Sequence, residues 1–177
     1  GNCGKTVVAD IGIPCVSSVG VPLAFEKSDL EIIPARPTVS NKGTFGRVLV
    51  VAGSRGMCGA AYLSAKAAYR SGAGLVEIFT CEENRAQLQT LIPEAIVTAY
   101  EKTDAESLLR SSLRRATAVV VGPGLSVGDE LEAIVKTLYE ECGAPIVIDA
   151  DALNITAKYS LTLPRDVPCV VTPHTGE

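Results

Sequence analysis

From residue 47 onward, short and largely apolar runs alternate with longer segments that carry the 3.6-residue periodicity of helices. The runs are residues 48–51, 76–79, 95–97, 118–121, 146–148 and 170–171. Such runs are typical of strands that are buried on both faces of a parallel sheet. The alternation therefore predicts an α/β fold, a doubly wound and mostly parallel sheet with helices on both faces. Right-handed crossovers would then bring every strand-to-helix loop to one edge of the sheet.

Local signals predict where some of the helices begin. Thr80 with Glu83, and Thr103 with Glu106, have the spacing of a capping box, in which a hydroxyl and a carboxylate satisfy the first free N–H groups of a helix. We therefore expect helices to start near Thr80 and Thr103.

The composition excludes several classes of protein. Hydrophobic residues make up 47% and charged residues 20% of the 177, which indicates a globular chain. The net charge is −4, and the largest basic group is Arg110, Arg114 and Arg115, so no nucleic-acid partner is expected. No apolar run reaches the roughly 18 residues of a membrane span, and the first residues lack a signal-peptide pattern. We therefore expect a cytoplasmic protein without a membrane partner.

Cysteine usage agrees with that compartment. The six cysteines form no CxxC pair, and the chain has a single histidine, His174, which cannot complete a zinc set. We expect reduced thiols, and we assign no metal-ligating residues.

A domain boundary is expected within residues 31–41. Residues 31–41 contain Pro34 and Pro37 among polar residues, a composition that predicts an extended linker. Residues 1–30 would then belong to a preceding unit, and residues 42–177 would form the α/β unit.

The loop after the first predicted strand is rich in glycine. Gly53, Ser54 and Gly59 lie between that strand and an Ala-rich helix. Glycine lets a backbone approach a ligand closely, and a helix N-terminus favours an anion. The spacing fits neither a Walker A loop nor GxGxxG, so a tight turn with close helix packing remains an alternative.

Three later loops follow strands in the same way. Gly122-Pro123-Gly124 follows one strand, as a binding loop or an ordinary tight turn. Asp149 and Asp151 follow the next and could hold Mg²⁺ through water or grip hydroxyls, although Asp151 could instead cap a helix. His174 follows the last strand, where a ligand contact is expected because ligands bind beyond the carboxyl ends of parallel strands.

A further glycine-containing loop precedes the first strand. Lys42 and Gly43 could fold over a phosphate, and a plain loop is the alternative.

Taken together, these loops form an ordered set of motifs. They are Lys42-Gly43-x-Phe45-Gly46, Ala52-Gly53-Ser54 with Gly59-Ala60-Ala61, Arg70-Ser71-Gly72-Ala73-Gly74-Leu75, Gly122-Pro123-Gly124-Leu125, Asp149-Ala150-Asp151-Ala152-Leu153-Asn154 and Thr172-Pro173-His174-x-Gly176-Glu177. From about Asn41 to Glu177 the chain resembles the ADP/ATP-dependent NAD(P)H-hydrate dehydratases, which have a ribokinase-like fold. Residues 6–14 resemble the tail of the NAD(P)H-hydrate epimerase domain that precedes the dehydratase in bifunctional repair enzymes.

The resemblance implies nicotinamide nucleotide repair. The hydroxyl of an NADH or NADPH hydrate would be phosphorylated by ADP or ATP as co-substrate, with Mg²⁺, and phosphate would then leave. Substrate contacts would fall at Ala60 (with Ala61 as a neighbouring possibility), Gly124 and His174. Lys42, Gly43, Gly53, Ser54, Gly59, Asp149 and Asp151 are possible members of a substrate or phosphate loop. The full-length protein would be a homo-oligomer.

The sequence departs from the family pattern at two places. Ser126 stands where the family commonly has another glycine, and no Gly-x-Gly-Asp motif occurs in the 177 residues. We therefore expect a C-terminally incomplete dehydratase domain, with the catalytic aspartate beyond Glu177, and no activity from residues 1–177 alone. Two alternatives remain, a ribokinase-like kinase of a small alcohol of the thiamine-precursor type and a non-catalytic nucleotide-binding module.

Overall fold

The computed structural model describes residues 37–174. The chain divides into two compact units, Gly1–Ser40 and Asn41–Glu177. The expected epimerase tail at residues 1–30, most of the expected linker, and Thr175, Gly176 and Glu177 of the last motif lie outside the described residues. The assignment of residues 1–30 to a preceding domain stays a prediction.

The elements of the second unit alternate regularly along the chain. They are a 3₁₀ turn at Lys42–Phe45, β1 at Arg47–Val51, α1 at Cys58–Arg70, β2 at Leu75–Cys81, a 3₁₀ turn at Glu82–Asn84, α2 at Arg85–Leu91, β3 at Ile96–Tyr100, α3 at Ala105–Leu113, β4 at Ala118–Val121, α4 at Asp129–Glu141, β5 at Ile146–Ile148, α5 at Asp151–Tyr159 and β6 at Cys169–Val171. Within this part of the chain, no helix combines the length and apolar character needed to traverse a bilayer.

The six strands form one sheet in the order β3-β2-β1-β4-β5-β6. All five neighbouring pairs are parallel. The α/β fold predicted from the alternation is therefore confirmed, and the sheet is wholly parallel among the described strands. The run predicted at residues 95–97 underestimates β3, which continues to Tyr100.

The pleat of the strands divides the core into two layers. Val50 and Ile78 pack with α1 and α2 on one face, whereas Leu49, Val51 and Val119 pack with α3, α4 and α5 on the other. All five side chains are at most 1% exposed. Each such burial stabilises the fold by about 1.5–3 kcal/mol before conformational entropy is subtracted. Covered faces explain the consecutive apolar residues of the inner strands. They do not explain the run in the edge strand β6, where Val170 and Val171 are 52% and 43% exposed, so the expectation of burial on both faces is wrong for that run.

The two predicted capping boxes are wrong. Thr80 lies inside β2 and its hydroxyl donates to the Gly53 carbonyl, so it caps no helix. Asp104 occupies the N-cap position of α3 without a side-chain cap, and its carboxylate accepts from the backbone N–H of Glu101. Capping-box spacing is a local signal, and in both places another hydrogen bond replaces the cap.

The order of the strands creates one switch point. From β1 the chain moves outward through β2 to β3, and from β4 it moves the other way through β5 to β6. The loops after β1 and β4 therefore leave neighbouring strands in opposite directions. A crevice between two such loops is where ligands bind in open α/β sheets.

Glu77 is a fully buried carboxylate in the middle of the sheet. Thr98 and Ser112 donate hydrogen bonds of 2.7 and 2.6 Å to its Oε1. Arg47 forms an ion pair of 2.8 Å with Oε2, and Arg115 one of 3.2 Å with Oε1. Burial alone would raise the pKa of Glu77, but the hydrogen bonds from Ser112 and Thr98 and the charges of the two arginines outweigh it, so the pKa is lowered.

Candidate functional site

The loops after β1 and β4 are joined by backbone hydrogen bonds. The Gly53 N–H donates to the Pro123 carbonyl at 3.0 Å, and the Ser54 N–H donates to the Gly124 carbonyl at 2.6 Å. These two N–H groups are used within the protein, so they do not form a phosphate cradle. The 13-residue helix α1 begins directly after this loop. Its N-terminus carries a positive partial charge.

The loop after β4 requires its two glycines. Gly122 has φ +120°, and a Cβ there would lie 1.8 Å from the Asp149 carbonyl oxygen. Gly124 has φ +60°, and a Cβ there would lie 2.8 Å from the Cβ of Ala60. The structure therefore brings Ala60 and Gly124, two of the predicted substrate residues, into direct proximity. Gly59 lies next to them in the first turn of α1, and a Cβ there would meet open space.

Two polar side chains beneath the loop after β1 were not predicted from the sequence to contribute to a site. Thr80 donates to the Gly53 carbonyl at 2.8 Å, and Asn84 donates to the Ser54 carbonyl at 3.0 Å. Both are almost fully buried. The only local signal in the sequence was the capping spacing of Thr80, which pointed to a different role.

The two aspartates after β5 join the neighbouring loops. Asp149 accepts a hydrogen bond of 2.7 Å from the Thr172 hydroxyl, beyond β6. Asp151 is the first residue of α5 and accepts a 2.7 Å bond from the backbone N–H of Ser126, beyond β4. Neither carboxylate caps α5, whose N-cap position is Ala150. Ser126 itself has φ +70°, a backbone conformation that favours glycine.

Other predicted residues lie apart from the joined loops. His174 follows β6 at the same edge of the sheet and is exposed, but β5 separates β6 from β4. Lys42 and Gly43 form the 3₁₀ turn directly before β1, at the amino edge, where Gly74 donates its N–H to the Phe45 carbonyl. The structure therefore does not bring Lys42 and Gly43 together with the loops of the carboxyl edge.

A cavity of about 930 Å³ opens beside the switch point. Ser54 and Leu125 line it from the joined loops, whereas Ala60, Gly124 and His174 do not. Its charged lining residues are Arg55, Lys102, Glu82, Glu83, Glu101, Glu106 and Glu130. Five carboxylates against two cations disfavour the phosphate groups of a nucleotide. The pair Ala60–Gly124 is therefore the better candidate for ligand contact, despite the size of this cavity.

Residues 37–174 offer no group of three or more His, Cys, Asp or Glu side chains that could hold a metal ion. Asp149 and Asp151, the two residues considered for Mg²⁺, are each engaged by a donor from a neighbouring loop.

The chain is similar to known proteins over most of its length. A sequence profile of the family described as NAD(P)H-hydrate dehydratase matches residues 48–177. The ADP-dependent (S)-NAD(P)H-hydrate dehydratase of Lactococcus lactis is 38% identical over 149 residues, which are 83% of this chain and 52% of that protein. The bifunctional NAD(P)H-hydrate repair enzyme of Moorella thermoacetica is 35% identical, over 98% of this chain and 35% of that protein.

The chain is also similar to solved structures, one of which is an NAD(P)H-hydrate dehydratase. The ADP/ATP-dependent NAD(P)H-hydrate dehydratase of Bacillus subtilis, co-crystallised with ATP and Mg²⁺, superposes with a TM-score of 0.69 at 31% identity. The superposition covers 84% of this chain and 52% of that one. The chain thus spans between about a third and a half of the length of these three proteins. The ribokinase-like fold is also that of a protein from Enterococcus faecalis, with a TM-score of 0.71 at 32% identity.

Proposed function

Because the chain belongs to the NAD(P)H-hydrate dehydratase family, we propose that the whole protein converts the hydrate of NADH or NADPH back to the dinucleotide, with ADP or ATP as co-substrate. The observation that carries the proposal is the family match across residues 48–177. It coincides with the stretch in which the loops after β1 and β4 are joined at the switch point.

The proposed chemistry has two steps. The hydroxyl oxygen of the hydrate attacks the terminal phosphorus of the nucleotide, the shortened nucleotide leaves, and the hydroxyl proton is released to solvent. The C–O bond then breaks, phosphate departs with the bonding electrons, and loss of a proton from the neighbouring carbon restores the ring double bond. Phosphoryl transfer of this kind depends on positioning and charge stabilisation.

We assign substrate contact to Ala60, Gly124 and His174. Ala60 and Gly124 carry little or no side chain, so a flat ring or a ribose could approach the backbone closely over the edge where the joined loops after β1 and β4 meet. The N-terminus of α1, next to Ala60, supplies a positive partial charge for a phosphate. Gly53, Ser54 and Gly59 surround that place.

Among the described residues we assign neither the base that accepts the proton nor a metal site. Asp149 and Asp151 serve as links between loops, so we assign neither of them as the base that accepts the proton. A Mg²⁺ ion would neutralise charge on the transferred phosphoryl group, and residues 37–174 contain no group of three or more His, Cys, Asp or Glu side chains that could hold it.

The N-terminal residues suggest a second activity. The Moorella thermoacetica protein, which is described as a bifunctional NAD(P)H-hydrate repair enzyme, is similar over 98% of this chain. We propose that residues 1–30 belong to an NAD(P)H-hydrate epimerase domain that is coupled to dehydration. We also propose a cytoplasmic homo-oligomer.

The proposal is tested by a panel of substrates with the full-length protein. NADH hydrate and NADPH hydrate are each incubated with ADP or ATP, and recovery of the reduced-nicotinamide absorbance is followed. A small alcohol of the thiamine-precursor type is assayed in parallel for phosphorylation. We expect nucleotide-dependent recovery and no stable phosphorylated alcohol. Phosphorylation of the alcohol without recovery of the reduced nicotinamide would instead identify a kinase. The absence of both reactions would favour a non-catalytic nucleotide-binding module.

A further inference from the structure

Two buried polar side chains, Thr80 and Asn84, lie directly beneath the loop after β1. Thr80 is in β2 and 0% exposed, and Asn84 ends the following 3₁₀ turn and is 3% exposed. Neither has a part in the chemistry proposed above. Buried polar groups need hydrogen-bond partners, and the partners that these two use reveal what they hold in place.

The two side chains form a directed chain of hydrogen bonds. Asn84 donates through Nδ2 to the Thr80 hydroxyl at 3.0 Å, and that hydroxyl donates to the Gly53 carbonyl at 2.8 Å. The same Nδ2 donates to the Ser54 carbonyl at 3.0 Å. Because Nδ2 has two protons and a hydroxyl has one, all the donors in this chain are used.

Asn84 stands where the 3₁₀ turn at Glu82–Asn84 passes directly into α2. Its backbone is helical, with φ −89° and ψ −12°, and its side chain makes no capping hydrogen bond. An N-cap residue has a non-helical backbone, so Asn84 is an internal residue of this helical segment, and its side chain donates to Thr80 and to the loop after β1. The side chain is turned away from α2 and towards the loop.

The other side of the loop connects to the substrate residues. The N–H groups of Gly53 and Ser54 donate to the carbonyls of Pro123 and Gly124. Gly124 in turn lies so close to Ala60 that an added Cβ would come within 2.8 Å of the Ala60 Cβ. Thr80 and Asn84 are therefore connected to the Ala60–Gly124 pair through the loop after β1, which they bond on one side and which bonds Pro123 and Gly124 on the other.

Gly53 is enclosed by α1 and by the two polar side chains. A Cβ at Gly53, on a backbone with φ +80°, would lie 3.1 Å from Asn84 Nδ2, 3.2 Å from Thr80 Oγ1 and 3.1 Å from the Ala61 Cβ. A larger residue would therefore have to displace a neighbour, which shows that the loop packs directly against Thr80, Asn84 and α1.

We infer that Thr80 and Asn84 are positioning residues, which set the spacing between Ala60 and Gly124 and thereby tune the binding of the dinucleotide hydrate. The inference rests on the proposed function. A displacement of about 1 Å in a binding site can lower catalytic efficiency by about 100-fold. The effect should appear in the KM for the hydrate and leave the KM for the nucleotide unchanged.

The test uses matched variants of the full-length protein. Thr80→Val keeps the shape of the side chain and removes the hydroxyl, whereas Thr80→Ser keeps the hydroxyl. Thr98→Val is the control, since it removes a hydroxyl from the same sheet that bonds Glu77 and not the loop. Asn84→Leu is a second variant that leaves the Thr80–Gly53 bond in place. Steady-state constants for hydrate and nucleotide are measured together with the thermal midpoint.

We expect Thr80→Val and Asn84→Leu to raise the KM for the hydrate about tenfold, with the nucleotide KM within about threefold of the wild type. Thr80→Ser should restore the wild-type KM, and Thr98→Val should lower only the thermal midpoint. An unchanged hydrate KM in folded Thr80→Val and Asn84→Leu would overturn the inference and leave the proposed function intact. A wild-type protein without hydrate turnover would overturn the proposed function, and this inference with it.

Discussion

At the scale of single residues, the fold depends on polar side chains whose partners come from distant parts of the chain. Glu77 is bonded by Thr98 and Ser112, which follow it by 21 and 35 residues. Thr80 reaches back 27 residues to Gly53. A periodicity in the sequence carries no information on such pairs, because it reports only which face of an element is apolar. The role of Thr80 was for this reason predicted wrongly, as a cap.

Replacing Glu77 should destabilise the protein strongly. Glu77→Gln keeps the volume of the side chain but leaves two arginines and two hydroxyls competing for one carbonyl oxygen. We expect a loss of about 2–4 kcal/mol in the free energy of unfolding, measured by urea titration. Glu82→Gln is the control, because Glu82 forms an exposed ion pair with Arg85 and should change little. Equal effects of the two substitutions would contradict the account of Glu77.

The same carboxylate predicts a dependence on pH. The pKa of Glu77 in the folded state lies below its ordinary value of 4.5. Its contribution to stability is therefore complete above pH 4.5 and is lost as the pH falls through the lower folded value. We expect the urea midpoint of the wild type to fall more steeply than that of Glu77→Gln as the pH is lowered from 4.5. If the two urea midpoints fell in parallel, a carboxylate other than Glu77 would cause the loss of stability in acid.

Gly122 offers a test of the turn after β4. Gly122→Ala would place a methyl group 1.8 Å from the Asp149 carbonyl oxygen, on a backbone with φ +120°. We expect a loss of about 2–4 kcal/mol in unfolding free energy. Gly143→Ala is the matched control, since a Cβ there meets nothing within 4 Å. The two variants can be compared by thermal unfolding, and similar midpoints would contradict the described turn.

At the scale of elements, the sequence predicted all six strands, and only β2 and β3 differ from the predicted ends by more than one residue. Apolar runs identified all six strands, because both faces of most of them are covered by helices. The ends of β2 and β3 include Thr80 and Tyr100, which an apolar pattern does not mark. Tyr100 belongs to β3 because it pairs with Cys81 of β2, and its ring stacks on Phe79 at 4.7 Å. Contacts between strands set these ends, and a single run of residues does not contain them.

The closeness of α1 to the sheet follows from its small residues. Ala61 and Ala65 are fully buried against the strands. We expect Ala65→Leu to cost about 1–3 kcal/mol through overpacking. Ala67→Leu makes the same change on the exposed side of the same helix and should stay within about 0.5 kcal/mol of the wild type. Chemical denaturation distinguishes the two, and a tolerated Ala65→Leu would mean that α1 lies farther from the sheet.

At the scale of the whole molecule, strand order turns separate motifs into a site. The sequence indicated which loops follow strands, but only the order β3-β2-β1-β4-β5-β6 makes the loops after β1 and β4 neighbours. That order joins Ala60 to Gly124 and leaves Lys42 at the opposite edge. The position of Lys42 was implicit in the sequence, since a residue that directly precedes a strand lies at the strand's amino end. The hydrogen bond between Asp151 and Ser126 could not be predicted from the sequence, because it depends on the folding of two loops.

The most direct test of the account is the rate of nucleotide-dependent NADH recovery from its hydrate by the full-length wild type and by Gly124→Ala. An added Cβ at Gly124 would lie 2.8 Å from the Cβ of Ala60, on a backbone with φ +60°. The account predicts turnover by the wild type and a loss of about 10–100-fold in kcat/KM for the hydrate in a folded variant. A wild type that does not recover NADH, or a folded Gly124→Ala with wild-type kcat/KM, would contradict it.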